Sequence, residues 1–359
     1  MKPTQQLHEL GQSLWLDNIT RGLLRDGTIG YYIREYAVTG LTSNPSIFEQ
    51  AIRDAPEYSA AIHTKVDEGK SGEELFFELA LEDLTEAADL FRPVHAASGG
   101  IDGWVSLEVS PLLCDDPAAT VHAARRLHAR ARRPNLFIKI PGNRAGVLAI
   151  EESIFAGVPV NVTLLFSREH YLAAADAYMR GIERRIAARL DPDVASVASI
   201  FVSRWDTAVK DRVSAGFQNR LGIAMAMRSY KAYRELLASA RWQKLAAAGA
   251  KPQRLLWAST GSKDPAASDT LYIDALAAPD TINTMPAKTL LAFAAHGTVT
   301  AALPADGGLA EAVIAEFVRE GIDDTALAAE LQRQGADSFT RSWRELMMRL
   351  GAKADVFND

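Results

Sequence analysis

Eight short runs of mainly apolar residues recur along the chain, separated by longer segments with helical periodicity. Most of these runs carry apolar residues at both odd and even positions, as expected when both faces of a strand are buried in a parallel sheet. Alternation of strands and helices indicates βαβ units, and eight such units favour a closed (β/α)8 barrel. The predicted strands cover residues 13–18, 37–44, 103–111, 136–142, 159–167, 194–204, 254–260 and 280–286.

Helical periodicity accounts for most of the sequence between these strands. The alternative fold is an open Rossmann-like sheet, which should carry a GxGxxG turn after an early strand, and the sequence contains none. We expect a single domain over residues 1–359, with the barrel at about 13–297 and a helical extension packed on it at about 300–359. The clearest predicted helices cover 71–92, 117–132, 143–155, 168–189, 205–247 and 286–296.

Polar residues lie near the C-terminal ends of six predicted strands. Inward side chains recur at every second residue of a barrel strand, and barrel active sites lie at the C-terminal strand ends. The six sets should therefore meet in one polar pocket. They are Trp15 with Asp17, Thr42 with Asn44, Ser106 with Glu108 and Ser110, Phe137 with Lys139, Asn161 with Thr163, and Val197 with Ser199 and Phe201.

The fourth predicted strand holds a lysine among apolar residues, in the stretch PNLFIKIPG. Taken alone, Lys139 could be an edge residue whose ammonium reaches solvent, Glu108 a buried ion-pair partner, and Asp17 a helix cap or turn residue. Together in one poorly hydrated pocket, the three would perturb one another's ionisation. A buried lysine beside carboxylates suggests Schiff-base chemistry, because a desolvated amine can act as a nucleophile.

Charge and motif content narrow the possible functions. The net charge is -6 and the pI is about 5.7, so the basic surface expected of a nucleic-acid-binding protein is absent. The one cysteine, Cys114, allows neither a disulfide framework nor a thiolate metal site. The seven histidines show no HExxH or HxH spacing, and neither a P-loop nor a GxSxG motif occurs. We expect a cytoplasmic enzyme without metal, cofactor or membrane segment.

Motifs on six of the strands carry a more specific signal. GLTSNPSIF (40–48) closely resembles the transaldolase signature around the second strand, and LFIKIPG resembles the lysine strand of that family. WLDN, SLEVSP, VNVTLLFS and ASIFVSR resemble its first, third, fifth and sixth strands, in the same order. The resemblance covers roughly Ser13 to Gly297. It implies a (β/α)8 barrel and a cofactor-free mechanism of the class I aldolase type.

The resemblance also implies a role for each matching residue. Lys139 would form the Schiff base, and Asp17 would take the hydroxyl proton during carbon–carbon cleavage. Glu108 and Thr163 would position a water that carries protons during dehydration and hydrolysis of the carbinolamine. The family moves a dihydroxyacetone unit from sedoheptulose 7-phosphate or fructose 6-phosphate to an aldose phosphate (glyceraldehyde 3-phosphate or erythrose 4-phosphate). Four further residues would bind the donor: Asn44 and Asn161 its hydroxyls, Ser199 and Arg204 its phosphate.

Three departures from the common family pattern point to a long-chain branch. Ile200 and Ser203 replace the commoner proline and glycine, the seventh-strand region reads ASTGSKDP, and a long helical segment follows Arg204. Because one arginine provides little charge for a phosphate dianion, we expect Lys263 to be a second phosphate contact. The alternative is that Lys263 contacts no phosphate and is a solvated loop lysine paired with Asp264.

The sequence is compatible with three functions. The first is a transaldolase, and the second is an aldolase of the fructose 6-phosphate type, which releases free dihydroxyacetone. Phe201 favours transfer, since an aromatic ring without a hydroxyl cannot orient a water at the imine, although Phe201 could equally be a core aromatic. The third is a barrel that binds sugar phosphates without catalysis. The predicted partners are small sugar phosphates, and a homodimer with a second copy of the chain is left open.

Overall fold

A computed structural model describes residues 1–54 and 56–355 and shows a closed barrel of eight parallel strands. The first strand pairs with both the second and the eighth, which closes the sheet. The (β/α)8 or TIM barrel predicted from the sequence is therefore confirmed, and the open sheet is wrong. The strands are β1 (Gln12–Asp17), β2 (Val38–Thr42), β3 (Trp104–Glu108), β4 (Leu136–Pro141), β5 (Val160–Leu165), β6 (Ser196–Phe201), β7 (Arg254–Ala258) and β8 (Thr281–Met285).

Helices surround the barrel and continue after its last strand. None of the helices in the described ranges combines the length and apolar character needed to cross a membrane. They are α1 (Pro3–Glu9), α2 (Arg21–Arg25), α3 (Thr28–Tyr36), α4 (Pro45–Asp54), α5 (Glu57–Asp67), α6 (Gly72–Ala97), α7 (Pro117–Ala131), α8 (Arg144–Phe155), α9 (Arg168–Ala187), α10 (Ser203–Val209), α11 (Leu221–Ala238), α12 (Ala240–Ala247), α13 (Leu271–Ala275), α14 (Ala287–His296), α15 (Ala310–Arg319) and α16 (Asp324–Asp355).

The region after β6 differs from the sequence prediction. The strand ends at Phe201, and Arg204 lies in α10, where the buried Trp205 and Val209 share one helical face. The helical stretch predicted over 205–247 is not continuous, because the chain forms α10, α11 and α12 there. The break before α12 has a local cause: the Ser239 hydroxyl accepts a hydrogen bond from the Trp242 N–H at 3.2 Å and so caps a new helix.

Aromatic rings fill the middle of the barrel. The rings of Trp104 and Phe137 stack with centroids 4.1 Å apart, and the Trp15 ring lies 6.2 Å from that of Phe137. Gly40 on β2 permits this packing, because a Cβ there would lie 2.6 Å from the Trp15 indole. This ring layer supports the polar side chains that follow it at the C-terminal strand ends.

A buried polar network lies at the N-terminal end of the barrel. The Ser13 hydroxyl donates to Asp102 Oδ2 at 2.5 Å, and Arg254 donates to the same hydroxyl oxygen at 2.7 Å. Trp15 Nε1 donates to Asp102 Oδ1 at 3.1 Å, which links the network to the ring layer. These contacts pair the charges of Asp102 and Arg254 inside the protein, so we attribute a structural role to this end of the barrel.

The long helix α16 packs against α4, α5, α6 and β5. It therefore lies over the C-terminal end of the barrel, as the predicted packing of the extension requires. The last residues of the predicted extension, 356–359, are outside the described residues. That the whole of 1–359 forms one domain stays a prediction.

Candidate active site

A cavity of about 140 Å³ opens among the C-terminal ends of the barrel strands. Eight of the ten residues predicted from the sequence line it, and the other two, Glu108 and Asn161, lie directly behind lining residues. Larger grooves occur elsewhere in the described structure. The groove between α7, α8 and α16 has a volume of about 740 Å³, but none of the ten predicted residues lines it. The cavity is lined by Asp17, Thr42, Asn44, Lys139, Thr163, Ser199, Phe201, Arg204, Leu256, Ala258, Ser259, Gly261, Lys263, Thr284, Pro286 and Phe339.

Lys139 is buried in the barrel, with 5% of its surface exposed. Strand register places it beside Glu108 on β3 and Asn161 on β5. Its Nζ lies 3.2 Å from Glu108 Oε2 and donates a hydrogen bond to the Ser43 carbonyl oxygen at 2.9 Å. The buried cation thus has a charged partner while its nitrogen still faces the cavity, so Lys139 is not a lysine that reaches solvent at a sheet edge.

The carboxylate of Glu108 has an unusual environment. Burial raises its pKa, while the charge of Lys139 acts in the opposite direction. Although Glu108 Oε2 is close to Lys139, neither carboxylate oxygen makes a well-aligned hydrogen bond among the described residues. The buried Thr163 hydroxyl likewise lacks a hydrogen-bond partner within that part of the chain. Such groups retain the capacity to bind water or a substrate hydroxyl.

Asp17 is held at the end of β1 by a chain of hydroxyl groups. The Thr42 hydroxyl donates to Asp17 Oδ1 at 2.7 Å, and the Thr42 and Thr284 hydroxyl oxygens are also 2.7 Å apart. Burial raises the pKa of Asp17, against the opposing charges of Lys139 and Lys263. A carboxyl group whose pKa is raised in this way is suited to exchange protons with a bound ligand.

The two predicted asparagines differ in their surroundings. Asn44 lines the cavity and caps α4, since its Oδ1 accepts the Ile47 N–H at 3.0 Å. Asn161 Nδ2 donates to the Ser106 hydroxyl at 3.1 Å, and its Oδ1 accepts from the Ser199 hydroxyl at 2.7 Å. Asn161 therefore fixes the orientation of Ser199, which itself lines the cavity.

Two further cations, Arg204 and Lys263, line the cavity. Arg204 projects from the first turn of α10, and its guanidinium lies 5.1 Å from the ring centroid of Phe201. Lys263 follows β7 on an exposed loop. Asp264 accepts a hydrogen bond from Asn219 Nδ2 at 2.7 Å and forms no ion pair with Lys263 in the described structure. The proposed alternative, a lysine paired with its neighbour, is therefore not what the structure contains.

Sequence reasoning missed several lining residues, of which Phe339 is the most distant in the chain. Phe339 comes from α16, and its helix-period pattern indicates only a buried face and not which part of the barrel it covers. The sequence pattern puts Thr42 on the inward face of β2 but assigns it no role. It does not single out Ser259 or Thr284. Ser259 lies near the end of the predicted strand 254–260, and Thr284 lies within the predicted strand 280–286. Their positions at the cavity could therefore have been inferred from the strand pattern.

Comparison with known proteins identifies the family. A family model described as transaldolase/fructose-6-phosphate aldolase matches residues 14–350. The chain belongs to the transaldolase/fructose-6-phosphate aldolase family. The resemblance inferred from the strand motifs is thus confirmed.

Relatives named as transaldolases match almost the whole chain. A transaldolase of Thiobacillus denitrificans is 43% identical over 359 residues, which cover 98% of this chain and all of the relative. A transaldolase of an Arthrobacter species is 43% identical over 354 residues, covering 96% of this chain and 95% of the relative. A protein named transaldolase 1 of Streptomyces coelicolor is 42% identical over 360 residues, covering 98% and 94%.

Proposed function

We propose that the protein is a transaldolase that moves a dihydroxyacetone unit from a ketose phosphate to an aldose phosphate through a Schiff base on Lys139. The observation that carries the proposal is the buried Lys139 amine, 3.2 Å from Glu108, facing a cavity that Asp17 also lines. The full-length similarity to proteins named transaldolase supports the same reaction. Fructose 6-phosphate or sedoheptulose 7-phosphate would be the donor, and glyceraldehyde 3-phosphate or erythrose 4-phosphate the acceptor.

The reaction begins with formation of the imine. A proton leaves the Lys139 ammonium, and the amine nitrogen bonds to the ketose carbonyl carbon to give a carbinolamine. The carbinolamine oxygen then leaves as water while the carbon–nitrogen double bond forms. Glu108 and Thr163 would hold this water and exchange protons with it, and their buried oxygen atoms, which lack hydrogen-bond partners among the described residues, support this role.

The next steps break one carbon–carbon bond and form another. Asp17 takes the proton of the hydroxyl group on C4, the C3–C4 bond breaks, and its electron pair moves into the imine to give an enamine. The aldose phosphate leaves and an acceptor aldose enters. The enamine carbon then attacks the acceptor aldehyde, and Asp17 returns its proton to the new hydroxyl. Water adds to the new imine and the carbon–nitrogen bond breaks, which releases the ketose product and regenerates Lys139. Asn44, which also lines the cavity, would bind donor hydroxyls.

The donor phosphate would bind beside Arg204 and Lys263. Arg204 and Lys263 supply positive charge there, and Ser199 supplies a hydroxyl. The phosphate carries about two negative charges near neutral pH. Because the chain has a net charge of -6, these local cations must provide the attraction that the protein as a whole does not.

A coupled transfer assay tests the proposal directly. With fructose 6-phosphate and erythrose 4-phosphate as substrates, the wild-type protein should release glyceraldehyde 3-phosphate, and Lys139→Ala should have no measurable rate. Lys251→Ala is a matched control, since Lys251 pairs with Asp193 at 2.8 Å and does not line the cavity. A wild-type protein without transfer activity, or a Lys139→Ala variant that retains it, would contradict the proposal.

The same assay distinguishes a transaldolase from the two competing functions. A sugar-phosphate-binding barrel without catalysis would show no turnover. An aldolase that releases free dihydroxyacetone would form it from fructose 6-phosphate at the same rate with or without acceptor. The homodimer and the cytoplasmic location stay predictions.

A further inference from the structure

Among the residues of the helical extension that the structure describes, Phe339 on α16 is the one aromatic side chain that lines the cavity. It is buried, with 5% of its surface exposed. Its ring centroid lies 5.9 Å from Lys139 Nζ and 5.9 Å from the guanidinium carbon of Arg204. The ring therefore lies beside both the amine that would form the imine and the cation that would bind the phosphate.

The helix that carries Phe339 is fixed to the barrel on both sides of this residue. On the N-terminal side, Gln332 Nε2 donates to the Leu164 carbonyl oxygen at 2.9 Å and to that of Gly142 at 3.2 Å. On the C-terminal side, Trp343 is 1% exposed, and its Nε1 donates to Glu73 Oε1 at 3.1 Å. These contacts hold the ring at a defined depth over the cavity.

Gly335 allows an especially close approach of α16 to the barrel. A Cβ at this position would lie 2.8 Å from Leu164 Cδ2 and 3.2 Å from Arg204 Nη1, so a larger residue would force the helix or its neighbours to shift. Leu164 itself has a φ of 59°, a left-handed conformation that is uncommon for a branched residue. Both features are consistent with a tightly closed contact between α16 and the end of β5.

We propose that Phe339 is a specificity-determining residue: its ring keeps bulk water away from the enamine on Lys139 and so favours transfer over release of dihydroxyacetone. This inference rests on the proposed function. Release begins when the enamine carbon takes up one proton, which regenerates an imine. Water then bonds to the imine carbon and the carbon–nitrogen bond breaks, so that protonated imine and water become dihydroxyacetone and the Lys139 ammonium.

The two fates of the enamine make different demands on solvent. Transfer needs an acceptor aldehyde and the proton already held by Asp17, whereas release needs an added proton at carbon. An apolar ring over the site lowers the local concentration of water that could deliver this proton. The single water that Glu108 and Thr163 would hold still serves the ordinary formation and hydrolysis of the imine. Phe339 therefore acts on the balance of products more than on formation of the Schiff base.

The test compares two products in Phe339→Ala, with fructose 6-phosphate as donor and erythrose 4-phosphate as acceptor. The ratio of free dihydroxyacetone to sedoheptulose 7-phosphate should rise by about tenfold, which corresponds to about 1.4 kcal/mol in relative barrier height. Trapping of the donor imine by borohydride should remain at the wild-type level. Phe339→Leu, which keeps a smaller apolar side chain, should give a ratio between those of the wild type and Phe339→Ala.

Phe317→Ala is the matched control. Phe317 belongs to the same hydrophobic cluster as Phe339 and is fully buried, but it does not line the cavity. Its loss should therefore leave the product ratio unchanged. An unchanged ratio in folded Phe339→Ala, or an equal rise in Phe317→Ala, would overturn the inference. If Phe339→Ala does not fold, an unchanged ratio in Phe339→Leu overturns it instead. Failure of the wild type to transfer or to be trapped would contradict the proposed function itself.

Discussion

Replacing Glu108 by glutamine should slow turnover severely while the fold persists. The amide keeps the shape of the side chain but cannot accept a proton. In the wild type, Glu108 Oε2 lies 3.2 Å from Lys139 Nζ, and both carboxylate oxygens lack well-aligned partners within the described residues. Positioned acid–base groups contribute about 10²–10⁴-fold to rate. We therefore expect kcat to fall by this factor, which corresponds to a loss of about 2.7–5.4 kcal/mol in transition-state stabilisation.

The same substitution also removes the charged partner of a buried lysine. Breaking a buried ion pair costs about 3–5 kcal/mol when the remaining charge has no compensation. Lys139 keeps its hydrogen bond to the Ser43 carbonyl oxygen, so the decrease in the free energy of unfolding should be smaller than this. Thermal unfolding monitored by circular dichroism would establish that the variant is folded at the assay temperature.

The assay is single-turnover formation of glyceraldehyde 3-phosphate from fructose 6-phosphate. Glu151→Gln is the control, because Glu151 pairs with Arg180 at 2.6 Å and Arg184 at 2.9 Å on the outer helices. It should retain the wild-type rate. Thr163→Val should also be slow, and the double variant with Glu108→Gln should lose less than the sum of the two effects, since both groups would act on one water. A rate within a few fold of wild type in folded Glu108→Gln would refute the role of Glu108.

Three further predictions concern the product, the phosphate and metal ions. Phe201→Tyr should increase release of free dihydroxyacetone relative to transfer, because the added hydroxyl could orient a water at the imine; an unchanged product ratio in the folded variant argues against that placement. Lys263→Ala should raise KM for fructose 6-phosphate by about tenfold with a smaller effect on kcat, since a charge-assisted contact contributes about 1.5 kcal/mol. Equal losses with unphosphorylated fructose would exclude Lys263 as a phosphate contact. Activity should survive dialysis against EDTA, and a loss that zinc or magnesium restores would contradict a Schiff-base mechanism.

The strand pattern is sufficient to predict which residues meet in the cavity of the candidate site. Burial of apolar residues on both faces identifies a parallel strand, and period-two alternation then assigns each polar residue to the interior. Lys139 and Glu108 were placed together in this way, and strand register brings them side by side. Because the C-terminal ends of all barrel strands meet, residues far apart in sequence could be assigned to one pocket without knowledge of their contacts.

Other features depend on packing that the sequence pattern does not specify. The position of Arg204 was predicted at a strand end, but local helical packing of Trp205 and Val209 moves it into α10. The contribution of Phe339 depends on where α16 crosses the barrel, which its amphipathic pattern leaves open. The hydrogen bonds that engage Asn161 with Ser106 and Ser199 likewise follow from side-chain orientation across three strands.

Trapping of the covalent intermediate tests the central claim most directly. The protein would be incubated with fructose 6-phosphate and sodium borohydride, digested, and mapped by mass spectrometry, with a borohydride-only sample as the control. We predict irreversible inactivation and a single reduced dihydroxyacetone or hexose phosphate adduct on Lys139. An adduct on a different lysine, or none in a protein that is active in the transfer assay, would contradict the assignment of Lys139 as the Schiff-base residue.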